Sequence, residues 1–426
     1  MKRLLHLHTH LSDLSQLLRW TLLAFPVGLV VGSATALFLA SLDWATRTHG
    51  QHPELLWGLP VAGVLVGWLY HRFGKGSDRG NNLLIDEIHE PGGGVPARMA
   101  PLVLLGTLVT HLFGGSAGRE GTAVQMGGSL AGLLARWFRL DAANLRLMLL
   151  CGIAAGFGAV FGTPLTGAIF AMEVLVIGRI NYEALIPVLV ASVVGDAVCT
   201  AWGIHHTMYH LDVAPEVGMR AALDGPLLLK TALAAIVFGL MARFFAELTH
   251  AIQRGMKQLI SYPPLRPALG GVVVIAMVYL LGSRDYLGLG VEATREGGVS
   301  IVSSFEPGGA TPWSWLWKTL FTAVTLGSGF KGGEVTPLFF IGSTLGHALG
   351  LLLQEPVALF AALGFIAVFA GAANTPLACT IMGMELFGVH YAVYFGVACF
   401  VAYFFSGPTG IYSAQRVGVP KRNTAN

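Results

Sequence analysis

An arginine and a glutamate stand side by side in GGSAGREGTAVQMGG, residues 114–128, and a further glutamate stands in GGEVTP, residues 332–337. Glycines frame both acids: Gly118 and Gly121 around Glu120, and Gly332 and Gly333 before Glu334. Each glycine-rich break runs into an apolar, helix-like stretch. A helix that begins at such a break turns its free N–H groups and positive dipole end into it. The result is an anion site made of backbone. Glu120 can fill that site itself or yield it to a dissolved anion. The charged carboxylate competes with the anion, and the protonated acid can leave. If proton and anion then depart on opposite sides of a membrane, one is exchanged for the other. The plainer alternative is a structural Arg119–Glu120 ion pair.

The elements around these residues must lie in a membrane. Only 12% of the 426 residues are charged while 54% are hydrophobic, and soluble domains carry about 25% charged residues. Apolar stretches occupy roughly residues 20–41, 57–70, 101–113, 147–177, 185–202, 226–242, 268–281, 315–329, 357–387 and 391–405. Irregular backbone at membrane depth is tolerated only inside protein or against a wet cavity, so the breaks belong to an interior site. The small net charge of +3 is spread over loops and termini, which does not suggest a nucleic-acid partner. Lys2, Arg3 and Arg19 before the first span, and Arg416, Lys421 and Arg422 at the end, place both termini in the cytoplasm. The first 19 residues read as an interfacial helix and not as a signal peptide, because His6, His8, His10 and Asp13 interrupt the apolar run. Cys151, Cys199, Cys379 and Cys399 lie far apart in apolar runs and read as small buried residues.

The chain repeats itself. GTPLTGAIFAME at 162–173 returns as NTPLACTIMGME at 374–385, and REGTAVQMGGSLAG at 119–132 lines up with GEVTPLFFIGSTLG at 333–346. Glu120 then matches Glu334, and Thr122 matches Thr336. The expected layout is an interfacial helix 1–19, a first membrane repeat 20–202, a connecting loop 203–225, a second repeat 226–412 and a tail 413–426. Repeated membrane halves broken by glycine are a transporter pattern, with a site near the midplane where the halves meet. The fold class is therefore an all-α polytopic membrane protein with broken helices. The repeat alone leaves open whether the halves are inverted.

GREGT with VQMGG at 118–128, GGEVTP at 332–337, the two TPL segments and Ile411-Tyr412-Ser413 resemble the CLC family of chloride channels and anion/proton antiporters. The similarity runs from about residue 20 to 416 and implies a CLC-type fold of two structurally repeated, inverted halves. It departs from the chloride-handling pattern at informative places. Thr122 replaces the proline of GREGP. Gly80-Asn81-Asn82-Leu83-Leu84 stands where GSGIP is usual, and GGEVTP replaces GGIFAP. This set is similar to the CLC-type fluoride/proton antiporters of bacteria. Gly92-Gly93-Gly94-Val95-Pro96 is a rival match for GSGIP. It follows Asp86, Glu87, His89 and Glu90 and reads as a wet surface, so Asn81 is preferred.

The substitutions suit fluoride, a small, strongly hydrated hydrogen-bond acceptor that needs compact donors as water is stripped away. Asn81 supplies an amide, Thr336 a hydroxyl, Tyr412 a phenol O–H, and Thr122 a further hydroxyl. By resemblance Glu120 is the external gating glutamate, Tyr412 lies near the central anion site, and Asn81, Val335 and Thr336 line the pathway. The bland readings are an interfacial anchor for Tyr412, a helix cap for Thr336 and a loop residue for Asn81. Many chloride/proton antiporters carry an inner proton-transfer glutamate where Val174 stands here, which puts that relay in doubt and makes Glu334 its replacement. Glu173 and its repeat mate Glu385 read as structural acids that tie helix ends to loop donors.

His205, His206 and His210 in the middle loop, and His6 with His10, read as solvated side chains and not as metal ligands. No metal or other cofactor is expected. The lone Gly288-Leu289-Gly290 lacks the strand–turn–helix setting of a nucleotide site. The leading reading is export of fluoride in exchange for protons by a homodimer in the bacterial inner membrane. A chloride or nitrate channel or exchanger on the same scaffold is the alternative, and a membrane hydrolase using Glu120 and Glu334 as paired acids is a remote third.

Overall fold

The computed structural model describes residues 2–209, 211 and 224–421, with side chains from residue 17 onward. His210, most of the connecting loop, and the side chains of His6 and His10 therefore lie outside the described residues. Among the described residues the regular secondary structure is helical, apart from a short parallel pair formed by Val176–Ile177 (β1) and Arg416–Val417 (β2).

The first half runs α1 (Lys2–Gln51), α2 (Leu59–Phe73), α3 (Asn81–His89), α4 (Met99–Leu112), α5 (Glu120–Trp137), α6 (Ala142–Phe161), α7 (Pro164–Glu173) and α8 (Leu185–Ala201). The second runs α9 (Gly225–Leu259), α10 (Leu265–Leu281), α11 (Ser314–Ser328), α12 (Val335–Leu353), α13 (Val357–Ala373), α14 (Pro376–Phe387) and α15 (Ala392–Phe405). Among the described residues, six helices are long and apolar enough to cross a membrane, and others are shorter. Large apolar side chains such as Leu22, Val61, Leu133 and Leu280 are exposed, as a lipid-facing surface requires.

One expectation needs correcting. Residues 2–51 form one helix with no interruption at residue 19, so the initial stretch is continuous with the first span. The apolar runs 147–177 and 357–387 each hold two helices. Gly162 (φ 71°) and Asn374 (φ 59°) end α6 and α13 in the left-handed conformation. Pro164 and Pro376 then start α7 and α14. Both sides of each break are buried, so hydropathy does not register it, but a left-handed residue followed by proline at the first helical position stops one helix and starts the next.

The halves pack alike: α5 lies on α6 as α12 lies on α13, and α1 lies against α8 as α9 lies against α15. Close approach in the first two pairs depends on glycine. A Cβ on Gly127 would strike the Gly152 carbonyl, and one on Gly342 would strike that of Gly364. Small residues at such crossings let helix backbones meet.

The sense of the repeat follows from two carboxylates. Glu173, at the end of α7, accepts from Leu377 N (3.0 Å) and Ala378 N (2.7 Å) at the start of α14. Glu385, near the end of α14, accepts from Leu165 N (2.9 Å) and from Thr166 N (2.8 Å) and Oγ1 (2.6 Å) at the start of α7. Each helix thus caps the beginning of the other, which only an antiparallel pair can do. The halves are inverted, and the two acids are structural, with helix-start amides as their donors.

Candidate functional site

The two glycine-rich breaks meet. Gly118 and Gly333 exchange both backbone hydrogen bonds, N to O, at 2.7 Å each. This pairing satisfies backbone that water cannot reach. It also sets the starts of α5 and α12 beside one another. A Cβ on Gly118 would lie 2.8 Å from Pro337 Cδ and 2.9 Å from Glu120 Oε2. Gly332 abuts Ala117, and Gly121 lies against Gly333, where a Cβ would stand 3.2 Å from Gly333 Cα. Glycine is therefore required on both sides by close approach.

Glu120 opens α5, but its fully buried carboxylate serves the other repeat. Oε2 accepts from Thr336 N at 3.0 Å and from Arg119 N at 3.1 Å. Oε1 accepts from the Thr336 hydroxyl. The Thr336 N–H and hydroxyl, in the first turn of α12 at its positive dipole end, thus hold the Glu120 carboxylate. Arg119 Nε lies 3.5 Å from Oε1, so the ion pair coexists with this arrangement.

The other expected residues fall unevenly around this centre. Val335 and Thr336 are buried in the first turn of α12. Asn81 opens α3 after Gly80, whose φ of 57° favours glycine. Its Nδ2 stands 3.3 Å from the point a Cβ on Gly121 would occupy, and its Oδ1 is buried without a hydrogen-bond partner. The rival Gly92–Pro96 stretch is committed elsewhere, because the N–H groups of Gly92 and Gly93 donate to Glu87. Tyr412 is buried edge-on against Phe170 and lies within electrostatic reach of both Glu120 and Glu334. Glu334 precedes α12 and is half-buried. Thr122 is not gathered into the Glu120–Thr336 group: its hydroxyl pairs with that of Thr107 at 2.7 Å.

Several contributors escaped the sequence reading. The residues after Tyr412 form a strap. Ala414 N donates to Asn82 Oδ1 at 2.9 Å, while Gln415 Nε2 donates to Val174 O and Ala373 O at 2.8 Å each. Val174 thus contributes its carbonyl to this strap. The doubled asparagine at 81–82 was the available signal. Above Arg119 a cavity of about 740 Å³ opens between the end of α1, the 203–207 segment and the 284–299 loop. His111, His205, His206 and Arg284 line it with Arg119. The loop is fixed by buried Lys318, whose Nζ donates to Tyr286 O (3.2 Å) and Gly288 O (2.8 Å). Among the described residues, no group of three His, Cys, Asp or Glu side chains converges in a manner fit for a metal.

The profile of the voltage gated chloride channel family matches residues 62–407. The chain is 52% identical over 419 residues to the chloride/fluoride channel protein of Pseudomonas syringae pv. tomato, covering 97% of this chain and 90% of the relative. It is 30% identical over 394 residues to the putative chloride channel protein ClcB-like of Ralstonia nicotianae, covering 86% and 78%. The crystal structure of a CLC-type fluoride/proton antiporter superimposes with a TM-score of 0.88 at 35% identity, covering 94% of this chain and 98% of the other. A slow cyanobacterial Cl⁻/H⁺ antiporter matches in fold, with a TM-score of 0.76 at 22% identity, covering 93% and 96%. Matched by the profile across most of its length, and sharing half its residues with one member, the chain belongs to the voltage gated chloride channel (CLC) family.

Proposed function

We propose that this protein exports fluoride in exchange for protons and that Glu120 is the gate through which the two are coupled. The observation that carries the reading is the Glu120 carboxylate on the N–H and hydroxyl of Thr336. Fluoride and carboxylate are both compact, strong acceptors, so the same donors serve either. A proton arriving from outside turns Glu120 into a neutral acid that holds these donors less strongly. Fluoride then takes them, with the Asn81 amide and Tyr412 hydroxyl adding donors nearby. When fluoride departs outward and the proton inward, Glu120 returns to its place. Glu334, half-buried beside α12 and in electrostatic reach of Tyr412, is assigned the inward proton step that Val174 cannot perform.

The similarity to a CLC-type fluoride/proton antiporter at 35% identity and to a chloride/fluoride channel protein at 52% supports this substrate. The second relative's name keeps chloride as the alternative cargo. Membership of a channel family gives the paired-acid hydrolase no support. A homodimer in the bacterial inner membrane, with both termini in the cytoplasm, completes the proposal.

Purified protein in liposomes tests it. Fluoride release is followed with a fluoride electrode and proton uptake with a pH electrode. Uphill proton movement driven by a fluoride gradient is expected. Chloride moved as readily as fluoride, or fluoride moved without protons, would overturn the reading.

A further inference from the structure

Asp196 lies on α8, and after that helix ends the chain returns across the break between α6 and α7. The His206 ring rests there on Gly162: a Cβ on that residue would stand 2.5 Å from His206 Cδ2. His206 Nε2 then faces Asp196 Oδ1 at 3.9 Å, and both atoms are buried without a hydrogen-bond partner. Buried polar atoms left this way are costly. A separation of 3.9 Å is too long for a direct hydrogen bond but leaves room for a bridging water. Arg119 Nε, in the residue next to the gate, is likewise buried without a hydrogen-bond partner, and its charge acts on His206. Thr163 Oγ1, beside Gly162, adds another buried and unpartnered polar atom. Arg119, His205 and His206 all line the wall of the 740 Å³ vestibule.

From this juxtaposition we propose that His206 and Asp196 form an outer proton-transfer station, which takes protons from the vestibule and supplies them to Glu120. The proposal rests on the antiport reading above and assigns the outer proton route within it. Among the described residues, the charged and titratable groups that face the pair are Arg119 from the break, His205 from the same segment, Cys199 from α8 and Glu385 from α14, whose charge acts on Asp196. Burial, then the charges of Arg119 and His205, hold His206 down to about 4. Its imidazole is therefore neutral, with a lone pair free to accept. A proton taken at Nε2 sits against the Asp196 carboxylate and, because burial and the neighbouring positive charges disfavour the imidazolium, is readily passed on. It passes through vestibule water to the Glu120 carboxylate. Glu120 becomes a carboxylic acid, His206 returns to neutral imidazole, and only N–H and O–H bonds form or break.

The full-length protein in liposomes tests the station with His206→Gln and, independently, Asp196→Asn. At low outer buffer, fluoride-driven proton uptake should fall at least about tenfold in each variant, in keeping with the usual contribution of a positioned proton-transfer group. Raising the concentration of a membrane-impermeant outer buffer should restore it, because buffer replaces a lost proton carrier but does not repair a misfolded chain. If the wild type shows no fluoride-driven proton uptake, the antiport reading falls and this proposal with it. If the wild type is coupled, an unchanged rate in both variants, or a loss that buffer does not restore, overturns the station alone.

Discussion

Glu120, the first residue of α5, places its carboxylate on the backbone N–H and hydroxyl of Thr336, in the first turn of α12 and 216 residues away. A side chain of one repeat is thereby held by donors of the other. In the proposed cycle, departure of Glu120 uncovers donors already aimed at one point.

The first prediction concerns that carboxylate. Glu120→Gln keeps the size and one acceptor but cannot carry a proton. Fluoride-driven proton uptake in liposomes should drop to the leak of protein-free vesicles while some fluoride flux persists. A proton-to-fluoride ratio equal to that of the wild type would remove Glu120 from the coupling step.

Thr336→Val removes the hydroxyl and leaves the backbone N–H. A hydrogen bond to a charged group contributes about 1.5–3 kcal/mol, so apparent fluoride affinity should weaken roughly 10- to 100-fold, at about 1.4 kcal/mol per tenfold. Calorimetric titration of the purified protein with fluoride measures this. Affinity within twofold of the wild type would take the hydroxyl out of the anion site.

Gly118→Ala places a methyl 2.8 Å from Pro337 Cδ and 2.9 Å from Glu120 Oε2. The breaks must separate or the carboxylate must move, so turnover should fall by about tenfold or more, at about 1.4 kcal/mol per tenfold of barrier. Full turnover in the liposome assay would mean that the breaks are looser than their paired hydrogen bonds require.

Glu173→Ala and Glu385→Ala strip the caps from α14 and α7. Each loses charge-assisted hydrogen bonds at a helix start, and each should cost about 2–4 kcal/mol. The readout is the midpoint of thermal denaturation in detergent. Substitution by Gln, which retains an acceptor, should cost less than Ala. Midpoints unchanged from the wild type in both would contradict the capping role.

The repeat, the two breaks and the acids at them were legible because glycine, proline and charge are conspicuous in apolar sequence. The structural role of Glu173 and Glu385 was legible for the same reason, since they occupy equivalent places in the halves. Hydropathy does not mark the breaks at Gly162 and Asn374, because helices on both sides are equally buried and hydropathy stays high across each. Sequence marks His206 only as a loop histidine, since its partner Asp196 lies in the preceding span and the return of the chain over Gly162 is a matter of packing.

Taken alone, the sequence determined that helices begin at the glycine-rich breaks beside Glu120 and Glu334, because chain breaks and helix starts are local properties of a few residues. The tertiary structure decided which helix each side chain serves. It sends Glu120 across to α12 and Thr122 to Thr107, and it brings Asn81 beside Gly121. Those outcomes depend on how inverted halves pack. A hydrogen bond between residues 216 positions apart leaves no periodic trace in either segment.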